Sequence, residues 1–135
     1  MAETIFSKIV AGTIPCHRVY EDAHVLAFLD VNPLAEGHTL VIPKRPVERF
    51  EDLTPDEAAA LARALGPIAR KVLSVTGAEG YNLLQNNGGV SGQVVMHVHF
   101  HIIPRRAGDG LGYRWLPQPG DQAALAALAE RMRQA

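Results

Sequence analysis

Apolar and polar positions along the chain change period several times, and each change marks an element. Ile5, Phe6, Ile9 and Val10 recur at helical spacing across residues 4–11, and Gly12 ends the pattern. Val19-Tyr20-Glu21 and residues 25–29 read as two short strands about an Asp22-Ala23 turn. Asp30-Val31-Asn32-Pro33 predicts a loop, and Gly37-His38 leads into an apolar, β-branched run over 39–42 that predicts a buried strand ended by Pro43. Thr54-Pro55-Asp56-Glu57 has the form of a helix-capping box with proline at the first helical position. The helix it opens runs to about Val75, with Leu61, Leu65, Ile68 and Val72 on one stripe. Gly66-Pro67 predicts a bend, because proline removes a backbone donor, and Gly77 predicts the stop. Strands follow over 80–85 and 94–103, separated by a glycine-rich loop at 86–92. An alanine- and leucine-rich amphipathic helix closes the chain at 121–134. Strands joined by short loops, with helices apart from them, predict an α+β domain built on an antiparallel sheet.

A chain of 135 residues accommodates one domain, 1–135, with a core that needs no disulfide. Thirteen basic against fourteen acidic residues leave a net charge of −1, which argues against a protein that coats nucleic acid but leaves room for a small anionic ligand. The lone Cys16 excludes an internal disulfide framework and cysteine-cluster metal sites. No apolar run approaches the roughly 20 residues that cross a bilayer. The first residues carry no basic, apolar leader, so a cytoplasmic protein without membrane partners is expected. The unusual feature is histidine, at 17, 24, 38, 97, 99 and 101.

In a strand over 94–103, His97, His99 and His101 share one face while Val98, Phe100 and Ile102 point into the core. Neighbouring imidazoles would then stand roughly 6.5–7 Å apart and line a groove. Two such histidines can hold one metal ion, but the third lies too far along, and no Cys or Glu stands near as a further ligand. No metal or cofactor is expected. The preceding Gln85-Asn86-Asn87-Gly88-Gly89-Val90-Ser91-Gly92-Gln93 offers three glycines and four side-chain amides, suited to a nest of backbone N–H groups around an anion. Oxyanion donors would then adjoin groups that titrate near neutral pH. On the residues alone, Asp30 equally suits a turn, His38 a satisfied buried histidine, and Phe6 and Phe28 a core.

At these residues the chain resembles the histidine triad family, whose signature is His-x-His-x-His followed by apolar residues. Thr4-Ile5-Phe6-Ser7-Lys8-Ile9, Val25-Leu26-Ala27-Phe28-Leu29-Asp30, Gly37-His38-Thr39-Leu40-Val41-Ile42-Pro43-Lys44 and Gly92-Gln93-Val94-Val95 are similar to family segments in the same order, covering roughly residues 4–106. The branch most similar is that of the small histidine-triad nucleotide-binding proteins. The resemblance implies a five-stranded antiparallel sheet, made continuous across a homodimer, and a metal-free hydrolase or transferase acting at the α-phosphate of purine nucleotide conjugates. It implies that His99 is the nucleophile, that His101 contacts the phosphate and helps protonate the leaving group, and that His97 and His38 support them. It further implies that Asp30 takes the ribose hydroxyls, that Asn86, Gly92, Gln93 and Val94 border the phosphate and leaving group, and that Ile5, Phe6, Ile9, Phe28 and Val31 form the base slot.

Two departures stand out. Thr4, Ser7 and Pro46 occupy positions where some members carry zinc-binding cysteines and a histidine, and Val94 replaces a phosphate-touching serine. Pro104-Arg105-Arg106-Ala107-Gly108-Asp109 is also similar to the dinucleoside polyphosphate hydrolase branch, and the segment with Trp115 is where members differ in substrate choice. A dinucleoside polyphosphate hydrolase and a non-catalytic nucleotide-binding regulatory module are the alternative readings.

Overall fold

The computed structural model describes residues 3–112 and 116–135, so Trp115 lies outside the described residues. Five strands, β1 (Arg18–Glu21), β2 (Val25–Leu29), β3 (Thr39–Pro43), β4 (Gly80–Gln85) and β5 (Phe100–Arg105), form one sheet in the order β1-β2-β3-β5-β4. Every pairing is antiparallel. The helices are α1 (Ile5–Val10), α2 (Pro55–Thr76) and α3 (Gln122–Gln134).

Helices cover both faces of the central strands. Val25, Ala27, Val41 and Ile102 pack with Leu61, Leu65, Ile68 and Val72 of α2. Leu26, Phe28, Leu40 and Ile42 face the other way, against Phe6 and Ile9 of α1. Strands covered on both sides read as continuous apolar runs, which is why 39–42 shows no alternation.

The ends of α2 follow their local signals. Thr54 and Glu57 make both arms of the capping box, and Gly77 closes the helix in the left-handed conformation at φ 69°. At Gly66-Pro67 α2 continues as one helix, with Pro67 on its exposed side, where water can serve the Arg63 carbonyl that loses its donor. Thr4 and Ser7 form a second capping box, at α1. The helix read at 121–134 is present, capped by Asp121, but none of its residues is buried, and Leu125, Leu128 and Met132 are exposed.

One strand differs from the sequence reading. β5 begins at Phe100, not at 94, and continues through Pro104. Its ladder with β3 is short, Thr39↔Ile102, Leu40↔His101 and Val41↔Phe100. Upstream of Phe100 the chain leaves β3, and the Val98 N–H donates instead to Val47, beyond the end of β3.

This topology gathers the polar residues at one sheet end. β2 ends at Leu29, paired with Thr39, so Asp30 directly follows β2 where His38 directly precedes β3. The Asp30 N–H donates to the His38 carbonyl at 2.9 Å, and the β3–β5 register brings His101 beside Leu40.

Candidate active site

A cavity of about 390 Å³ opens between α1 and the sheet end. Ile5, Phe6, Ile9, Phe28, Asp30, Val31, Gly92, Val94, His99 and His101 all line it, so ten of the expected site residues share one concavity. Phe6 and Phe28 are buried in its floor, with ring centroids 5.5 Å apart, whereas Ile5 and Val31 are exposed at its rim. Pro15 and Cys16 also line it, and only their approach in space reveals them. A larger cavity, about 670 Å³, lies beside α2 and is lined largely by apolar groups such as Val19, Leu29 and Val75. The titratable cluster belongs to the smaller one.

The hydrogen-bond partners fix each imidazole's protonated nitrogen. His99 Nδ1 lies 2.7 Å from the His97 carbonyl oxygen, which can only accept, so Nδ1 carries the proton and Nε2 keeps a lone pair. His97 Nε2 lies 2.8 Å from the Pro43 carbonyl and therefore donates. Its Nδ1 then accepts from the Thr4 hydroxyl at 3.0 Å, and that hydroxyl in turn accepts the Ser7 N–H. His38 Nδ1 accepts the Leu34 N–H at 3.1 Å, so His38 Nε2–H donates to His101 Nδ1 at 2.9 Å. The remaining proton of a neutral His101 is on Nε2. His99 thus offers a lone pair and His101 an N–H, their ring centroids 4.9 Å apart. That is closer than the spacing expected of a regular strand, because His99 precedes β5.

Burial disfavours charge on these rings. Desolvation pushes His38, His97 and His99 below the ordinary histidine value, partly offset for His99 by its bond to the His97 carbonyl. His101 falls furthest, to about 4, first through desolvation and then through the neighbouring His99 and His38. All four imidazoles are neutral at pH 7.

Asp30 both turns the chain and faces the site. Its Oδ1 accepts the Asn32 N–H, while Oδ2 stands 3.6 Å from His38 Nε2. Asp30, His38 and His101 are therefore close enough to surround a cation. The Leu34 N–H, however, occupies His38 Nδ1 and keeps the proton on Nε2, the nitrogen an ion would need. The group fits a hydrogen-bonded relay better than a metal.

The glycine-rich loop differs from an open nest. Gly88 and Gly92 adopt φ of 89° and 104°, which other residues rarely tolerate, around a short 3-10 turn. Within that turn the Ser91 and Gln93 N–H groups donate to the Gly88 carbonyl, and the Gly92 N–H donates to Gly89. Gln93 was expected to face phosphate or leaving group, but it is buried and its carboxamide is spent. Oε1 accepts the Gly88 N–H at 2.7 Å, and Nε2 donates to the Glu48 and Val95 carbonyls. Among the described residues the Val94 N–H makes no such bond, and Val94 lines the cavity. The Asn86 amide lies beside Gly92, but Asn86 is not among the residues that line the cavity.

Known proteins resemble this chain over most of its length. The model of the HIT domain matches residues 11–108. An uncharacterised HIT-like protein of Methanocaldococcus jannaschii is 54% identical over 106 residues, 78% of this chain and 81% of that one. The adenosine 5'-monophosphoramidase of Schizosaccharomyces pombe is 43% identical over 129 residues, 95% and 94% of the two chains. A crystal structure from Streptococcus mutans superimposes with a TM-score of 0.95 at 42% identity, covering 99% of this chain and 85% of that one.

Proposed function

The chain belongs to the HIT family, and from that premise we propose that it hydrolyses purine nucleotide conjugates, nucleoside phosphoramidates foremost, through a covalent nucleotidyl-His99 intermediate. The observation that carries this reading is the bond from His99 Nδ1–H to the His97 carbonyl, which leaves the Nε2 lone pair at the cavity. An imidazole held neutral by burial is a ready nucleophile at pH 7, and a covalent intermediate divides one hard displacement into two easier ones.

In the first step Nε2 of His99 bonds to the α-phosphorus as the bond to the leaving amine breaks. The base lies in the apolar slot of Ile5, Ile9, Phe28 and Val31, and Asp30 accepts from the ribose hydroxyls. His101 Nε2–H and the Val94 N–H donate to the non-bridging oxygens, where charge gathers. In the substrate complex the phosphoryl charge favours a second proton on His101, taken from solvent at Nδ1 as the His38 N–H turns to Asp30 Oδ2, 3.6 Å from His38 Nε2. The ring then gives its Nε2 proton to the leaving amine. Water next attacks phosphorus, the P–N bond to His99 breaks, and His101 takes the water's proton. The net change is phosphoramidate plus water to nucleoside monophosphate plus amine.

The functional unit proposed is a homodimer. β4 is an edge strand exposing Tyr81 and Leu83, and α3 leaves an apolar face uncovered, both suited to a second copy.

The test is release of AMP from adenosine 5'-phosphoramidate, with and without a chelator. Turnover insensitive to the chelator is expected. Tight AMP binding with no turnover of phosphoramidates or dinucleoside polyphosphates would instead identify a regulatory binding module.

A further inference from the structure

We propose that Thr4 is a positioning residue for the His99 nucleophile, acting through His97; this rests on the reading of His99 given above. His97 is wholly buried, so neither ring nitrogen can turn to water for a partner. Its Nε2–H is held by the Pro43 carbonyl at the end of β3, and its Nδ1 by the Thr4 hydroxyl at the start of α1. Two anchors on opposite sides prevent the ring from swivelling, and the His97 carbonyl is the group that holds His99 Nδ1–H. The order of the chain is Thr4 Oγ–H to His97 Nδ1, then His97 carbonyl to His99 Nδ1–H, leaving Nε2 bare.

The hydroxyl suits this place because it both accepts and donates. Its oxygen accepts the Ser7 N–H, which caps α1, and its proton is thereby directed to His97. One side chain thus ties the helix that carries Ile5, Phe6 and Ile9 to the first triad position. Phe6, two residues on, stands edge-on to the His97 and His99 rings, with centroids 5.8 and 5.1 Å away. The base slot and the nucleophile are thus registered against each other by a bond spanning 93 residues of sequence. Thr4 touches neither cavity nor substrate in this arrangement, so its influence must pass through ring orientation.

The test uses the full chain and three variants. Thr4→Val keeps the shape and removes the hydroxyl, Thr4→Ser restores it, and Ser7→Ala removes the reciprocal capping arm while leaving the Thr4 hydroxyl in place. Imidazole nitrogen NMR of the unliganded protein reads the protonation of each ring nitrogen without reference to activity. In the parent protein His97 Nδ1 is expected to be unprotonated and hydrogen-bonded, and His99 to be protonated at Nδ1.

Thr4→Val should shift the His97 Nδ1 resonance to its unbonded position and populate the other His99 tautomer. It should lower kcat on a phosphoramidate on the order of tenfold to a hundredfold, with a smaller change in AMP affinity. Thr4→Ser should restore all three, and Ser7→Ala should lower the melting temperature but leave the His99 tautomer and kcat near the parent values. A protonated His97 Nδ1 in the parent protein overturns the proposal, even if Thr4→Val does not fold. So does a Thr4→Val protein that keeps the parent His99 tautomer and kcat, or a Ser7→Ala protein that matches Thr4→Val, which would assign the effect to the helix cap. Absence of phosphoramidase activity in the parent defeats the functional reading alone, because the nitrogen spectra still decide the Thr4 contact.

Discussion

His38 Nε2 donates to His101 Nδ1 across 2.9 Å, tying the loop that enters β3 to the strand that carries the last triad histidine. The bond is set at its far side by the Leu34 N–H, which takes His38 Nδ1 and leaves a single direction for the remaining proton. His101 Nε2–H is thereby aimed without any charged partner on the ring. Replacing His38 with Ala frees His101 to rotate. The expected outcome is a fall in kcat on the order of a hundredfold, with AMP affinity changed far less. Steady-state kinetics beside equilibrium AMP binding checks the split, and an unchanged kcat would show that His101 needs no such support.

The neutral histidines make acid destabilising. In the unfolded chain histidine takes a proton near pH 6.5, whereas folded His101 resists until about 4. Between those values the unfolded state binds more protons, so stability rises with pH across the window. The contribution is fully present above about pH 6.5 and is lost as the pH falls toward 4. His38, His97 and His99, shifted in the same direction, add to the slope. The melting temperature should fall steadily from pH 7 to 4.5, and less steeply in His101→Asn. A flat profile in the parent protein would contradict the buried neutral cluster.

Gln93 gives a prediction in which stability and catalysis separate. Its carboxamide makes three hydrogen bonds, each to the backbone, and its side chain is buried. Gln93→Ala strands the Gly88 N–H and two carbonyls, at a cost of about 1–3 kcal/mol for each group left without a partner. Chemical denaturation should show a loss of several kcal/mol. Unchanged stability with lower turnover would return Gln93 to the leaving-group role expected from the family.

Much of the fold was legible because its signals are local. The Thr54–Glu57 box, the Gly77 stop and the 80–85 strand need only neighbouring residues, and α2 and β4 fall there. β5 starts later than the residue pattern predicts, for a physical reason. Met96 to Phe100 alternates as a strand does, but β3 ends at Pro43, which has no N–H to extend the ladder, and its carbonyl is taken by the His97 ring. The alternation therefore serves a bent segment that turns its imidazoles inward. His38, Asp30 and the triad could be singled out as residue types, but their wiring could not. Thr4 meets His97 across 93 positions, and Leu34 meets His38 through a backbone N–H that has no side-chain signature. The uses of Gln93 and of the loop amides were likewise hidden, since an amide side chain reads the same whether it faces ligand or backbone.

The most direct test of His99 as the nucleophile is an acid-quenched, single-turnover reaction with adenosine 5'-phosphoramidate, followed by mapping of the modified peptide. The expected result is an adenylyl group on His99 alone, formed and lost at rates that support turnover, and neither adduct nor turnover in His99→Asn protein that still binds AMP. An adduct on another histidine, or undiminished turnover in the His99→Asn protein, would contradict it.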